Sequence, residues 1–151
     1  MKLLMDLLSN ELIISGFLAW FIAQVLKTII NACINRKIDW WRLVGDGGMP
    51  SGHSATVTAV AVFSMFKYGL ASFEFGVTAI LAVIVCHDAM GVRLETGKQA
   101  KVLNEIIKSF DILAKDSLPE VKLKEFVGHT PIQVMAGILV GIFTATIIWL
   151  T

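Results

Sequence analysis

Four stretches of this chain stay apolar over the length of a bilayer core, and its polar residues gather between them. They run from about Leu12 to Ala32, Ser54 to Leu70, Phe75 to Val92 and Ile132 to Leu150. A hydrocarbon core of about 30 Å needs roughly 17–25 helical residues, so each stretch predicts a membrane-spanning helix. The second is the least apolar, because Ser54, Thr56, Thr58 and Ser64 interrupt it. Small and hydroxylated residues are common where membrane helices pack closely, which keeps this stretch among the spans. Thr56, Ser64 and Thr78 are read as packing residues whose hydroxyls bond a carbonyl one turn back. Gly137 and Gly141 form a small-xxx-small pair in the last span and predict close helix approach, within one chain in preference to a dimer contact.

The polar segments add two shorter amphipathic elements. Leu3, Leu4, Leu7 and Leu8 recur at helical spacing and suit a lead-in helix lying at the membrane surface. Between Gly97 and Leu118, the residues Val102, Leu103, Ile106, Ile107 and Phe110 make an apolar stripe, read as covering the bundle's cytoplasmic mouth. The expected fold is therefore all-α, a single domain over 1–151. It is an integral membrane bundle of about four transmembrane helices, with an amphipathic N-terminal segment and a cytoplasmic amphipathic helix between helices three and four.

Composition agrees with this class. Hydrophobic residues make up 56% of the 151 and charged residues 17%, with a mean hydropathy of +0.73. Soluble domains are nearer half apolar and one quarter charged. The short turn at 68–74 makes spans two and three an antiparallel pair, so the other two connections share one side. Of the 13 lysines and arginines, only Lys2 and Lys67 fall on the opposite side. The positive-inside rule then places the basic connections in the cytoplasm of a multi-pass protein of the cell membrane. Trp40, Trp41 and Trp149 stand where interfacial anchors are expected. Cys33 and Cys86 adjoin apolar runs without metal-ligand spacing, and are read as buried, reduced thiols.

The string Gly47-Gly48-Met49-Pro50-Ser51-Gly52-His53-Ser54 carries the candidate chemistry. Its glycines permit tight turns, and Ser51 or Ser54 can cap the helix that follows. Free amides at a helix start, aided by the dipole, form an anion site that His53 could reach. The plainer alternative is a capped helix entry with a surface histidine. Asp88, near the end of the third span, is a functional suspect because ionisable groups are costly in a membrane helix. It could serve Arg93 or a phosphate-site histidine, or simply form an ion pair at the membrane boundary.

Pro50-Ser51-Gly52-His53-Ser54 resembles the second motif of the type 2 phosphatidic acid phosphatases, which include bacterial acid phosphatases and vanadium haloperoxidases. The string from Gly128 through His129 and Gln133 to Gly137 resembles the latter half of that family's third motif. Arg93 matches the motif's arginine, across a long insertion. Together with Asp88-Ala89-Met90-Gly91-Val92-Arg93 and Gly97-Lys98-Gln99-Ala100, these likenesses point to the family's divergent membrane branch, from about Lys27 onward. The resemblance implies that His129 is the nucleophile of a phosphohistidine intermediate and His53 the general acid. Arg93, Ser51 and the amide of Gly52 would bind phosphate. Such chemistry needs positioning and charge stabilisation more than covalent machinery, and calls for no metal or other cofactor.

Two departures stand out. The family's first motif, lysine, six residues, then Arg-Pro, is missing; Lys27 with Arg36, or Lys37 with Arg42, could supply the charges at other spacings. The carboxylate expected four residues after the nucleophile is Gln133, which can orient His129 but cannot stabilise an imidazolium by charge. Asp88 is the candidate substitute. The expected activity is hydrolysis of a lipid phosphate or pyrophosphate. The expected partners are membrane lipids and that substrate, with self-association left open and no nucleic acid. The alternative is a non-catalytic protein of the same fold that binds or transports a phospholipid or phosphate. An ion channel has little support, since no charged stripe runs through the spans.

Overall fold

The apolar stretches fold as helices whose starts are fixed by short polar side chains. The computed structural model describes residues 1–37, 40–43, 45, 47–113, 123 and 128–151. In chain order it contains α1 (Lys2–Leu8), α2 (Glu11–Asn35), a 3-10 turn (Trp40–Leu43), α3 (Gly52–Tyr68), α4 (Phe73–Met90), α5 (Val92–Leu113) and α6 (Pro131–Leu150). Asn10 Oδ1 accepts from the amides of Leu12 and Ile13 and so starts α2. Ser51 and Ser72 cap α3 and α4 through the amides of Ser54 and Phe75. Each cap satisfies donors that the first helical turn leaves without an intrahelical partner. The model agrees with the all-α bundle read from the sequence. Glu11–Asn35, the run Phe73–Phe110 and Pro131–Leu150 are each long and apolar enough to cross a membrane.

The least apolar of the four predicted spans, α3, lies at the centre. α2, α4 and α6 each pack against α3, and α6 also packs against α2. The buried face of α3 is small and hydroxylated: Gly52, Ser54, Ala55, Thr58, Ala59, Ala61 and Ser64, with Phe63 the single large side chain. The large apolar side chains point the other way, with Phe17, Phe21, Ile80, Val83, Ile84, Leu139 and Phe143 all exposed. In water this arrangement would leave a very large sticky surface. In lipid there is no apolar driving force between helices, so close packing of small residues holds the bundle and large apolar groups face the acyl chains.

The tightest joint is between α3 and α6. A Cβ added to Gly137 would lie 2.4 Å from the carbonyl oxygen of Ser51, and one added to Gly141 would lie 2.5 Å from that of Ala55. The paired glycines therefore serve packing within the chain. On the other flank, Gly16 of α2 faces Val60 and Thr56 of α3, and Lys67 pairs with Glu11. Trp20 and Gln24 border Gly52. These contacts set α2 antiparallel to α3 and leave the last turns of α2 extending past the start of α3. At about 1.5 Å per residue the overhang from Gln24 to Asn35 is roughly 16 Å. The 3-10 turn folds back against it.

Four expectations need correction. The amphipathic helix begins at Val92 rather than Gly97, so Arg93 sits in its first turn, not at the end of the preceding span; residues 114–118 fall outside the described residues. Its stripe of Val102, Leu103, Ile106 and Phe110 is exposed, because α5 turns Gly97 and Ala100 inward instead. Asn104, on the same inward side, exchanges two hydrogen bonds with the backbone of Leu123. Thr56 and Thr78 do bond back to Gly52 and Glu74, whereas the buried Ser64 hydroxyl has no partner among the described residues. Both cysteines are free thiols, but Cys33 is exposed and Cys86 half-buried.

The α3–α6 joint makes a direct prediction. Gly141→Leu drives a branched side chain into the Ala55 carbonyl, and overpacking of this kind costs about 1–3 kcal/mol. Purified in detergent, that variant should unfold at a clearly lower temperature than wild type. Phe143→Leu, on the exposed face two residues away, should leave the transition unchanged.

Candidate functional site

All three histidine- and arginine-bearing segments meet at the end of the bundle where α3 and α6 begin and α4 ends. His53 lies in the first turn of α3 and is exposed to the outside. His129 lies two residues before α6 and is only 4% exposed. The two imidazole centroids are 6.1 Å apart, with ring planes tilted by 50°. A cavity of about 30 Å³ between them is lined by Gly47, His53, Val85, Ala89, Arg93, Gly128 and His129. By this measure about 10–15 Å³ is enough for one water molecule, so this pocket takes a small group and not a lipid tail.

Backbone bonds hold the histidines in register. The Ser51 amide donates to the Gln133 carbonyl at 3.0 Å, tying the cap of α3 to the first turn of α6. The His129 amide donates to the Ala89 carbonyl at 3.0 Å, tying the same turn to the last turn of α4. Gly128 makes this second joint possible. Its φ is +95°, and a Cβ there would lie 2.4 Å from the amide nitrogen of Leu94. An L-residue is disfavoured at that φ and excluded by that distance. Ala89 and Val85, one turn apart on α4, line the cavity although neither carries a reactive group. Their part was hidden in the sequence, because a carbonyl acceptor and a wall leave no chemical signature.

The remaining candidates divide. Arg93 Nε donates to Asp88 Oδ2 at 2.6 Å, and both side chains are partly exposed. Asp88 thus holds the one guanidinium that lines the cavity among the described residues. Gln133 Oε1 accepts from the Thr130 amide at 3.0 Å, within a capping box at the start of α6. Ser51 Oγ accepts from the amide and hydroxyl of Ser54, so it too is committed to a helix start. Gly52 turns its Cα toward Trp20 and Gln24 of α2. Lys27 is 4% exposed, and its ammonium donates to the Gly45 carbonyl at 3.3 Å, beside the loop that carries Gly47. Arg36 is exposed at the left-handed end of α2, as is Lys37 just beyond it. The side chain of Arg42 lies outside the described residues.

The model of the Divergent PAP2 family matches residues 8–144 of this chain. The chain belongs to the divergent PAP2 family. It is also 40% identical over 153 residues to the uncharacterized membrane protein YuiD of Bacillus subtilis (strain 168), across 95% of this chain and 97% of that protein. No solved structure matches it. Membership over this span takes in every element of the site, from Lys27 through His53 and Arg93 to His129. Like its relative, this divergent PAP2 protein is a membrane protein.

The joint at Gly128 gives a stability prediction. Gly128→Ala forces a strained backbone and a clash with Leu94, a cost of about 1–3 kcal/mol. Gly76→Ala, at a helical position with no neighbour within 4 Å, should instead be neutral or stabilising by up to about 1 kcal/mol. Thermal unfolding of the two variants side by side tests this. Equal transitions would show that the Gly128 contact does not hold the site together.

Proposed function

We propose that this divergent PAP2 protein hydrolyses a lipid phosphate or pyrophosphate through a phosphohistidine on His129. The observation that carries the reading is the 6.1 Å approach of the His53 and His129 rings across a cavity that Arg93 also lines. Attack would need a phosphoryl group in this cavity to stand about 3–3.5 Å from a ring nitrogen of His129. An imidazole of His129 attacks phosphorus, and the leaving alkoxide takes its proton from His53. His53, now neutral, takes a proton from the water that attacks the phosphohistidine; the bond from phosphorus to His129 breaks, phosphate departs and both imidazoles return to their starting states. Arg93 draws the phosphoryl oxygens, a role in which it exchanges Asp88 for the ligand. Because an exposed ion pair is worth about 0–1 kcal/mol, that exchange costs little. The cytoplasmic placement of this end rests on the excess of lysine and arginine in its connections.

A second reading is favoured by one feature. Gln133 stands where the parent family has its carboxylate, and its oxygen is used in a helix cap. A site without a group to stabilise the imidazolium suits a protein that binds a phosphorylated lipid and does not turn it over.

Phosphate release from phosphatidic acid in mixed micelles discriminates the two. Wild type should release phosphate and be inhibited by vanadate, which mimics the transferring group. His129→Ala should abolish release, and His53→Ala should lower it by about 10²–10⁴-fold, the usual contribution of a general acid. Release that survives both substitutions would sink the mechanism. Vanadate binding without release by wild type would establish the binding reading.

A further inference from the structure

The apolar stripe of α5 is left uncovered at the end of the bundle that carries the histidines. Val102, Leu103, Ile106 and Phe110 are between 45% and 58% exposed. Among the described helices α5 packs against α4 alone, so none of them stands between the stripe and its surroundings. The other side of the helix is occupied. At about 100° per residue, Gly97, Ala100 and Asn104 lie about 120–180° round from Ile106. Lys101 and Lys108 lie about 140–160° round from it in the opposite sense. Gly97 and Ala100 are buried and both lysines exposed, and Asn104 exchanges hydrogen bonds with the backbone of Leu123. The stripe therefore faces away from both the anchors and the charges of its own helix.

What surrounds it follows from where α5 begins. The 18 residues of α4 rise about 27 Å, close to the ~30 Å of a hydrocarbon core. The helix breaks at Gly91 alone and restarts at Val92 without a linker, so α5 sets out from the membrane boundary. Three courses are open to it. Continuing through hydrocarbon would take in seven charged residues among its 22, at about 2.5–3.5 kcal/mol for each one near the centre. Standing straight out would carry the stripe into water, as much as ~33 Å from the boundary. Lying along the boundary places the stripe against acyl chains and the lysines in water. Only the third course suits both faces.

We propose that α5 is an interfacial anchor, lying in the plane of the bilayer surface with its Val102–Phe110 stripe inserted among the lipids of the leaflet on the histidine side. Two arguments select lipid over a second copy of the chain. The bilayer is already at hand, joined to α5 through Gly91, whereas a partner has to be captured from dilution. As a helix–helix seam the stripe is also short: Leu103, Ile106 and Phe110 make about one heptad, where a coiled coil needs about three to four. The positions flanking that seam, Val102, Ile107 and Ser109, lack the charges that choose a coiled-coil partner. Arg93 lies in the first turn of the same helix and lines the cavity, so the anchor sets that guanidinium at the depth of the lipid phosphates. The anchor stands whether or not the site turns a lipid over.

The test places the photoreactive residue benzoylphenylalanine at single positions of the full chain, in nanodiscs of phosphatidylcholine and phosphatidylglycerol, and weighs the irradiated protein. From Phe110 or Ile106 it should form protein–lipid adducts nearly as well as from Phe143, which is exposed on the span α6. From Lys101 or Lys108 adducts should be about tenfold fewer, the effect of roughly 1.4 kcal/mol of preference for lipid. Ile106→Asp should lower the yield from Phe110 several-fold, and Glu105→Gln should leave it unchanged. Every one of these positions is exposed, and an unfolding temperature equal to that of wild type shows that each variant keeps the fold. Adducts from Phe110 as scarce as from Lys108, with Phe143 still labelled, overturn the proposal. So does a cross-link from Phe110 to a second copy of the chain in place of lipid.

Discussion

Everything else in this bundle depends on how closely the backbones of α3 and α6 approach. Gly137 and Gly141 leave no room for a Cβ against the carbonyls of Ser51 and Ala55. In a bilayer this contact cannot be driven by excluding water, so it rests on dispersion between surfaces that fit and on nothing larger than a methyl intervening. The same approach allows the Ser51 amide to reach the Gln133 carbonyl. A packing contact between spans thereby becomes a hydrogen bond between two helix starts. α3, less apolar than α2, α4 and α6, can occupy the centre because its small residues are what the neighbouring backbones require.

The site is a consequence of that joint and two others. Once α3 and α6 are fixed, His53 and His129 share one end of the bundle, and the Ala89 carbonyl and Gly128 close the third side with α4. None of these contacts uses a reactive side chain. Positioning is done by backbone and glycine. It also explains why Ser51 and Gln133, which stand inside the recognisable strings, are occupied in capping: the motif residues include the scaffold that aims the histidines as well as the histidines themselves.

The sequence disclosed the fold more fully than the site. Spans were legible because a bilayer demands long uninterrupted apolar runs, and the Gly137/Gly141 pair was legible because small residues at four-residue spacing have one main use. The strings around His53 and His129 could be read as a pair only through a family resemblance, since nothing in their spacing brings them together. What escaped were features that depend on direction. The stripe of α5 has the right period, but period does not say which face turns inward, and small Gly97 and Ala100 took that place. The partners of Gln133 and Asp88 were equally hidden, because a short polar side chain near a helix start has several acceptors and donors within reach.

The charge arrangement suggests how a site without the parent family's first motif could still work. Among the described cavity-lining residues only Arg93 carries a permanent positive charge, and Asp88 pairs with it. A phosphate entering the cavity offers the guanidinium the same pairing that Asp88 gives it, with a second oxygen for bidentate contact. The net change at Arg93 is an exchange of one anion for another. Where the parent family commits several fixed cations, this chain would obtain its selectivity from an exchangeable pair, and the buried ammonium of Lys27, anchored to the Gly45 carbonyl, would shape the loop that delivers Gly47. On this view the missing motif is less a defect than a change in how the anion is balanced, from standing positive charge to charge uncovered when the ligand arrives.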